Sequence, residues 1–574
     1  MPGFACVIAG NIDFSSFEIK HESLAPVTRA KKVSTNYCVY RFATGKFLKD
    51  MLFADDEEIL VITEGVILNF RELQASNGCV DYFQTVKKMY QADGVDFFKS
   101  FRGEFSGLLY DKQKEKWLIF TNHTGSKPVF YYKNRDVFVC ASELQLVTQI
   151  LRKLGCRYSL DSIGCYFLLT FGFMLEDYTL IEEVKRLKPG NYIKIEDKKA
   201  QVDVYNVFNN DVLVDSPRGE IIENLETLFK KSVAMEYEKD LEYGYKHIAT
   251  LSGGLDSRMS VMTARELGYD NILNITFSQS NYWDERIAKE IALDLGNEFL
   301  FYALDNGNFL KNTIRDSVIA NGGLVLYSGS AHGLSIFKKI NFGPFGMVHT
   351  GQIGDAVLGS FLSKPRREKP QPSSGAYSSY LLGKISCVVN NILQNYESEE
   401  IFKFYSRAFN GAINGNWIVN QFTESCSAFL DVDFLRYALS IPPSLKCKEQ
   451  IYHEWILTKR PAAAKYVWER TKSKLTANKL FVEAKVFLRR ARFKLLGKSS
   501  ASYSMNPFQY WYDTNEQLRL FVNNYFQQNI YVLDEYPELK SDSTRLFYEG
   551  SFIEKTQVMS LLEAIKFHFH ENYS

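Results

Sequence analysis

The sequence SGGLDS at residues 252–257 joins a short apolar segment, residues 247–251, to a helical pattern over residues 258–267. A second apolar segment at residues 271–277 and a second helical pattern at residues 284–295 follow directly. Strands that alternate with helices in this way are typical of a parallel sheet with right-handed crossovers. The sequence therefore predicts an α/β domain in which SGGLDS lies at a junction between a strand and a helix.

The residues of this junction are suited to binding an anion. Gly253 and Gly254 allow a tight turn and a close approach of the backbone to a ligand. The amides of the loop and of the helix N-terminus then point toward a negative charge, and Ser252 and Ser257 add hydroxyl donors. Asp256 beside a phosphate makes chemical sense if a divalent cation bridges the two. The alternative is a purely structural turn, and the Walker pattern is excluded because no GK[ST] follows.

The first part of the chain has a different pattern. Up to about residue 205, short apolar strands alternate with charged turns, a helix is predicted around residues 81–91, and a hairpin closes this part near residues 191–199. The polar, proline-containing stretch 208–220 reads as a linker. We therefore predict two domains, residues 1–207 and 216–574. The part of the second domain from about residue 375 onward is expected to be mostly helical.

Composition excludes several classes of protein. The chain has 68 Lys and Arg against 67 Asp and Glu, whereas a protein that binds nucleic acid by electrostatics is usually far more basic, so no nucleic-acid partner is expected. Nine scattered cysteines without a CxxC pair argue against a disulfide framework. No signal peptide is recognisable, and the most apolar window, residues 163–175, is too short to span a bilayer. These features predict a cytoplasmic location.

The motif SGG-x-DS resembles the pyrophosphate loop of ATP pyrophosphatases, and above all that of the asparagine synthetase family, which includes β-lactam synthetases and lasso-peptide cyclases. In that family the loop grips the pyrophosphate of ATP, and magnesium bridges it to two aspartates. The resemblance implies ATP and Mg²⁺ as cofactors, with Asp256 as a metal ligand. Its nucleotide-binding candidates here are Leu251, Ser252, Gly253, Gly254, Asp256, Ser257, and, for the adenine, Ile275 and Phe277.

A second loop, TGQIGDA at residues 350–356, resembles the family's SGEGSDE. The match implies that Thr350 and Gly351 contact the nucleotide and that Asp355 is the second metal ligand, although a simple turn aspartate is the alternative. Gln352 stands where asparagine synthetases have a glutamate that is tied to substrate and proton transfer. Because an amide cannot act as a base, the acceptor chemistry is expected to differ from asparagine synthesis.

Two further segments carry the resemblance. Residues 424–431, ESCSAFLD, are similar to EARVPFLD and are expected to pack against the active site, a purely structural role being the alternative. Residues 468–472, WERTK, resemble WRQK, in which the lysine stabilises the charge that builds up at the acyl-adenylate. Lys472 and Gln352 are therefore the catalytic candidates, a solvated surface lysine being the alternative for Lys472. Asp284 is interpreted as a helix N-cap.

The first domain resembles a glutaminase of the N-terminal-nucleophile type, a four-layer αββα fold also called a class II amidotransferase domain. Residues 102–111, 122–131 and 141–143 carry the similarity. Such enzymes use a cysteine directly after Met1, but residue 2 is Pro2, and Cys6 reads as a core residue. Glu64 replaces the asparagine that donates to the oxyanion. We expect no glutamine hydrolysis, as in β-lactam synthetases.

A basic amphipathic pattern covers residues 478–498. It fits weak contact with an anionic membrane surface or an acidic partner, or an ordinary surface helix that packs on its own domain.

The sequence as a whole predicts an ATP-dependent ligase that adenylates a carboxylate, releases AMP and pyrophosphate, and forms an amide with ammonia or another amine. The carboxylate could belong to a small molecule, a peptide or a glycan, and a homodimer is left open. The alternatives are a glutamine-hydrolysing asparagine synthase, a non-catalytic scaffold, and a tRNA-thiolating ATP pyrophosphatase, which the neutral charge disfavours.

Overall fold

The computed structural model describes residues 3–10, 12–478 and 504–570, together with residues 482, 484, 485, 487 and 488. Its first part contains two six-stranded antiparallel sheets, ordered β10-β8-β9-β1-β3-β2 and β12-β11-β7-β6-β5-β4. The strands are β1 Phe4–Ala9, β2 Thr28–Val33, β3 Tyr37–Ala43, β4 Phe53–Asp55, β5 Ile59–Ile67, β6 Gly103–Asp111, β7 Lys116–Thr121, β8 Phe130–Lys133, β9 Val137–Ala141, β10 Val184–Arg186, β11 Asn191–Glu196 and β12 Lys199–Val204. The hairpin β11–β12 confirms the predicted closing hairpin.

The two sheets pack face to face, and helices cover both outer faces. Apolar side chains of both sheets, among them Phe4, Val39, Ile62 and Ile119, form the layer between them. The helices Phe70–Asn77 and Tyr82–Asp93 and the short 3₁₀ segment Gly94–Ser100 lie on the second sheet. The helices Leu144–Lys153 and Ser162–Phe171 lie on the first. The order of layers is thus helix, sheet, sheet, helix.

A five-stranded parallel sheet follows, which confirms the predicted α/β arrangement. Its order is β15-β14-β13-β16-β17, with β13 Lys246–Thr250, β14 Ile272–Ser278, β15 Glu298–Ala303, β16 Phe345–Thr350 and β17 Ser425–Ser427. The central strands are apolar and buried, as expected for a sheet that helices cover on both faces. The helices of this region are Arg218–Glu242, Asp256–Glu266, Trp283–Asp294, Ile314–Asn321 and Ser328–Phe337, with a kinked 3₁₀ segment at Asp305–Asn312.

The rest of the described chain is mainly helical, as predicted. The α-helices are Leu382–Leu393, Glu399–Lys403, Ile413–Gly415, Val432–Ser440, Pro443–Lys446, Gln450–Lys459, Pro461–Ala464, Phe508–Thr514, Glu516–Asn529, Pro537–Glu549 and Phe552–Ile565. Shorter 3₁₀ and π-helical segments are Ala356–Ser360, Phe404–Ala412, Asn416–Gln421, Ala428–Leu430, Cys447–Glu449, Ile530–Leu533 and Lys566–His570, and a small hairpin pairs β18 Val467–Trp468 with β19 Ser473–Lys474. The last helices share one apolar core with the helices that cover the first sheet.

None of the helices in the described ranges is long and apolar enough to cross a membrane. The nine cysteines, all of which lie in those ranges, form no disulfide. The basic pattern at residues 478–498 falls almost entirely outside the described residues, and so does Pro2. Strand β12 ends at Val204 and the next helix begins at Arg218, while the domain boundary itself stays a prediction.

Candidate active site

The two motif loops meet at one edge of the parallel sheet. SGGLDS follows β13 and TGQIGDA follows the neighbouring strand β16, and parallel strands end at the same edge. A Cβ atom on Gly351 would overlap the backbone nitrogen of Ser257 and the carbonyl carbon of Asp256. A Cβ atom on Gly354 would lie 2.7 Å from Cγ of Asp256. The glycines of the second loop therefore allow it to lie directly against the first.

This contact brings the two candidate metal ligands together. The backbone N–H of Asp355 donates to Oδ2 of Asp256 at 3.0 Å, and the Tyr452 hydroxyl donates to Oδ1 at 2.8 Å. Burial, and then the negative charge of Asp355, hold the pKa of Asp256 well above its usual range. Two neighbouring carboxylates that repel each other are a donor set that suits Mg²⁺, because a hard cation with oxygen ligands removes the repulsion. The residues present therefore fit the metal that the sequence predicts.

The SGGLDS loop is held in shape by its own side chains. The Ser257 hydroxyl accepts from the backbone N–H of Ser252 at 3.0 Å, and the two serine hydroxyls lie 3.1 Å apart. The backbone N–H of Gly253 donates to Oδ1 of Asp284 at 2.7 Å. This second contact corrects the interpretation of Asp284 as an N-cap, since Tyr282 occupies the cap position and Asp284 lies within the helix. Burial raises the pKa of Asp284 to about 6.

A cavity of about 570 Å³ opens beside the two loops. Ten of the predicted site residues line it, namely Leu251, Ser252, Gly254, Asp256, Ser257, Ile275, Phe277, Thr350, Gly351 and Gln352. Gly253, Asp355 and Lys472 are not among the lining residues. For Gly253 the reason is visible, because its amide is directed at Asp284. The structure thus gathers the predicted nucleotide-binding set around one space, and the role of each residue stays a prediction.

Lys472 lies in a turn that packs against the SGGLDS loop. It sits in the β18–β19 turn with a left-handed backbone at φ 57°, and its Nζ is 2.8 Å from Oε1 of Glu469. The backbone N–H of Glu469 in turn donates to the carbonyl of Gly253 at 3.1 Å. The ammonium also lies 4.7 Å from the centre of the Tyr282 ring. The turn is therefore packed against the loop, with the lysine paired to its own segment.

The ESCSAFLD segment supports the second loop. The Thr350 hydroxyl donates to the carbonyl of Cys426, and the Ser427 hydroxyl donates to the carbonyl of Gln352, both at 2.9 Å. Asp431 caps the helix Val432–Ser440 by accepting from two backbone amides. These contacts give the segment a positioning role.

The cavity lining also contains residues that no sequence motif indicated. Phe173 comes from the chain that follows the helix Ser162–Phe171, and Leu326, Tyr377 and Arg407 come from three separate segments. These residues lie far apart in the sequence and meet only through tertiary packing. The sequence carried no signal that could have grouped them.

A buried polar cluster lies under the second loop. His349, the residue before Thr350, places Nε2 2.8 Å from Asp240 and Nδ1 3.4 Å from Glu236. His247 contacts the same Asp240 oxygen at 3.0 Å. Burial alone would lower the pKa of His349, but the two carboxylates raise it to about 9. His349 is therefore a buried cation at neutral pH.

Glu64, which the sequence places at the oxyanion position of a glutaminase, lies among charged side chains. Glu64 is buried, its Oε1 lies 4.0 Å from Nζ of Lys127, and the same lysine lies 2.5 Å from Oε2 of Glu424. Burial raises the pKa of Glu64 to about 7. Cys6 is fully buried beside Cys140 in the first sheet, and burial raises the pKa of its thiol well above the usual value. Cys6 is a core residue, as predicted.

Comparison with known proteins finds similarity to a glutamine amidotransferase domain and to asparagine synthetases. A family model described as a glutamine amidotransferase domain matches residues 49–206. A putative glutamine-hydrolysing asparagine synthetase of Methanocaldococcus jannaschii is 26% identical over 228 residues, which cover 38% of this chain and 43% of the relative. Asparagine synthetase 2 of Bacillus subtilis is 25% identical over 280 residues, covering 45% and 36%. Asparagine synthetase B of Escherichia coli is 22% identical over 337 residues, covering 54% of each.

Each of these matches spans about half of the relative's length or less. A solved structure of glutamine phosphoribosylpyrophosphate amidotransferase from B. subtilis covers 53% of this chain and 85% of its own, at 11% identity and a TM-score of 0.24. The matches in sequence agree with the two motif loops at the sheet edge and with the amidotransferase-like first half. These similarities support an assignment of the chain to the asparagine synthetase family.

Proposed function

We propose that this protein is an ATP-dependent carbon–nitrogen ligase that activates a carboxylate as its acyl-adenylate and transfers the acyl group to an amine. The observation that carries the proposal is the junction of the two loops, where Asp355 and Asp256 are joined by a hydrogen bond beside a cavity. A strand–helix junction that combines a helix N-terminus with two serine hydroxyls suits the phosphates of ATP. The lining of Leu251, Ile275 and Phe277 suits the adenine ring.

The proposed reaction has two steps. A carboxylate oxygen of the substrate attacks the α-phosphorus of ATP, the bond from that phosphorus to the β-phosphate oxygen breaks, and pyrophosphate leaves. The amine then attacks the acyl carbon, loses a proton, and the carbon–oxygen bond to AMP breaks. Asp256 and Asp355 would hold Mg²⁺, which when bound offsets the charge of the leaving pyrophosphate.

The chain's own residues would orient the reactants. The amides and hydroxyls of SGGLDS hold the phosphates, and Asp284 fixes the loop by accepting from Gly253. Lys472 is assigned to the negative charge that accumulates during acyl transfer. The Lys472 ammonium is paired to Glu469 at 2.8 Å. For the proposed role it has to leave Glu469 and contact the reacting group instead. Gln352 lines the cavity and can only orient a substrate by hydrogen bonds, since an amide does not take up a proton at neutral pH.

We also propose that the first domain does not supply ammonia from glutamine. A buried carboxyl at Glu64 opposes the development of an oxyanion, and Cys6 is a core thiol with a raised pKa. Lys127, which is paired to Glu424, lines a small pocket together with Thr350 and Gln352 of the second loop. The relatives are named glutamine-hydrolysing. In this chain Pro2 and Glu64 stand where the resemblance implies the nucleophilic cysteine and the asparagine that donates to the oxyanion.

The test is ATP–pyrophosphate exchange by the purified full chain with Mg²⁺ and a panel of carboxylic acids. The account predicts exchange that depends on a carboxylic acid and that falls at least 100-fold in Asp256→Asn, while circular dichroism and the unfolding midpoint stay close to those of the wild type. Glu290→Gln, an exposed acidic position on the neighbouring helix, is the matched control and should keep full exchange. Unchanged exchange in Asp256→Asn would contradict the assignment of Asp256 as a metal ligand at the ATP site.

A further inference from the structure

One part of the cavity lining, here the distal end, is formed by the aromatic and aliphatic side chains of Phe173, Val325, Leu326 and Tyr377. Phe173 and Tyr377 meet edge to face with ring centres 6.5 Å apart, and Leu326 and Val325 lie beside them. The backbone N–H of Leu326 donates to the carbonyl of Gly172 at 2.9 Å, which fixes Phe173 against this wall. The distal end is therefore a built apolar surface.

Two helical segments contribute small residues to the cavity lining. One presents Gly329 and Gly333, and the other presents Gly411, Ala412 and Gly415. In each segment the small residues recur four positions apart, so they lie on one helix face. Gly333 and Gly411 are packed against Ile418 and Phe173, whereas a Cβ atom on Gly415 would meet nothing within 4 Å.

The position of Phe173 depends on one of these glycines. A Cβ atom on Gly411 would lie 3.0 Å from Cδ1 of Phe173, which is tighter than ordinary contact. Phe173 is itself almost fully buried. The ring is thus held at the cavity wall by close packing, and it presents an apolar surface to whatever occupies the distal end.

The charges of the cavity are unequally distributed. Among the described residues that line it, the ionisable ones are Asp256, Asp284, His332 and Arg407. The two aspartates belong to the nucleotide loop, and burial lowers the pKa of His332 to about 4, so that this side chain is neutral. Arg407 is exposed and lies 5.9 Å from the centre of the half-exposed Tyr377 ring, at the mouth.

This distribution does not suit a free α-amino acid. The α-ammonium of aspartate needs an anionic partner once water is removed, and in the described lining both carboxylates are already engaged at the loops. An apolar wall would leave the ammonium unpaired. A substrate whose reacting carboxylate is attached to an uncharged ring avoids this cost.

We propose that the carboxylate substrate of this enzyme is an aromatic carboxylic acid, whose ring lies in the distal end against Phe173 and Tyr377. The proposal rests on the ligase function proposed above and narrows its substrate class. The carboxylate then points toward the two motif loops, and Tyr377 and Arg407 border the entrance. Aspartate is excluded as the favoured substrate.

The test measures binding and exchange separately. Binding of trans-cinnamate and of L-aspartate to the full chain is followed by calorimetry in the presence of a non-hydrolysable ATP analogue, and ATP–pyrophosphate exchange is measured with the same acids. We expect saturable binding of cinnamate, much weaker binding of aspartate, and a loss of about tenfold in cinnamate affinity in Phe173→Ala, with ATP affinity unchanged. Tyr531→Ala, an exposed tyrosine elsewhere, is the control and should bind like the wild type.

Tyr377→Ala, at the half-exposed mouth, provides a second variant if Phe173→Ala does not fold, and it should also weaken cinnamate binding. Tighter binding of aspartate than of cinnamate, or unchanged cinnamate affinity in the variant, overturns the substrate class. If aspartate drives exchange and cinnamate does not, the ligase function holds and this inference fails. If cinnamate binds as expected but no acid drives exchange, the distal site holds and the ligase function fails.

Discussion

The backbone N–H of Asp355 donates to Oδ2 of Asp256 at 3.0 Å, although the two residues are 99 positions apart in the sequence. This bond links the ends of two adjacent parallel strands and sets the spacing of two carboxylates. It also makes the shape of each loop depend on the other. The absence of a side chain at Gly351 permits this contact. A substitution at Gly351 is therefore a direct way to perturb the site.

Gly351→Ala is expected to abolish carboxylate-dependent exchange. The new methyl group would overlap the backbone of Ser257 and Asp256, so the loops must separate and the two aspartates with them. We expect at least a 100-fold loss in exchange rate, because misplacement of about 1 Å near reacting groups costs that much. Gly219→Ala is the control, since its Cβ meets nothing within 4 Å. Activity close to wild type in Gly351→Ala would show that the loops do not act as one unit.

Lys472→Ala should bind ATP nearly normally and fail in amide formation. The ammonium would stabilise charge in the transition state more than in the ground state, so its loss is expected to lower product formation by two to three orders of magnitude. ATP affinity and trapping of the acyl group by hydroxylamine are measured side by side. Arg470→Ala is the neighbouring control, because Arg470 is paired to Glu449. Joint loss of ATP binding and fold would instead make Lys472 a structural residue.

No glutamine hydrolysis is expected. Cys6 is packed in the first sheet, and the raised pKa of its thiol leaves almost no thiolate at neutral pH. Glutamate release from glutamine should equal that of buffer alone, in the wild type and in Cys6→Ala. Release well above background that disappears in Cys6→Ala would contradict this prediction.

His349 makes the free energy of unfolding depend on pH. Its pKa is raised to about 9 from a usual value near 6.5, so its stabilising charge is fully present below about pH 6.5 and is lost as the pH rises through 9. The groups that face it are Glu236 and Asp240 on one helix, His247 on β13 and Cys426 on β17, with the Tyr237 ring stacked on it. A pKa shift of this size corresponds to a loss of about 3 kcal/mol in the free energy of unfolding.

The matched variant is His349→Gln, which keeps the volume and removes the charge. Chemical denaturation between pH 6.5 and 9.5 should show a lower stability than the wild type at pH 6.5 and a smaller decline across the range. Parallel curves for the two proteins would mean that His349 does not carry a charge in the folded state.

Local sequence patterns were sufficient for the elements that define the site. The apolar run of β13, the glycines of SGGLDS and the spacing of TGQIGDA are local features, and each is found at the predicted junction. The polar strand β2, Thr28–Val33, had no such signal, because it lies at the edge of its sheet and is mostly exposed. Edge strands need not follow an apolar pattern.

Interactions between distant segments account for the rest. Asp284 has the sequence features of an N-cap, but a tertiary hydrogen bond to Gly253 gives it a different task. Phe173 enters the cavity only because the turn at Gly172 packs on Leu326. No local sequence pattern encodes contacts between distant segments, so the distal end could not be predicted from the sequence.

The measurement that tests the central claim most directly is the fate of the carboxylate oxygen. A carboxylic acid that supports exchange is labelled with ¹⁸O and incubated with the full chain, ATP, Mg²⁺ and hydroxylamine as the amine. Attack of the carboxylate on the α-phosphorus predicts one labelled oxygen in AMP for each hydroxamate formed, with unlabelled pyrophosphate. Label in inorganic phosphate together with formation of ADP would contradict the account, because it would mean that the γ-phosphate and not the adenylyl group is transferred.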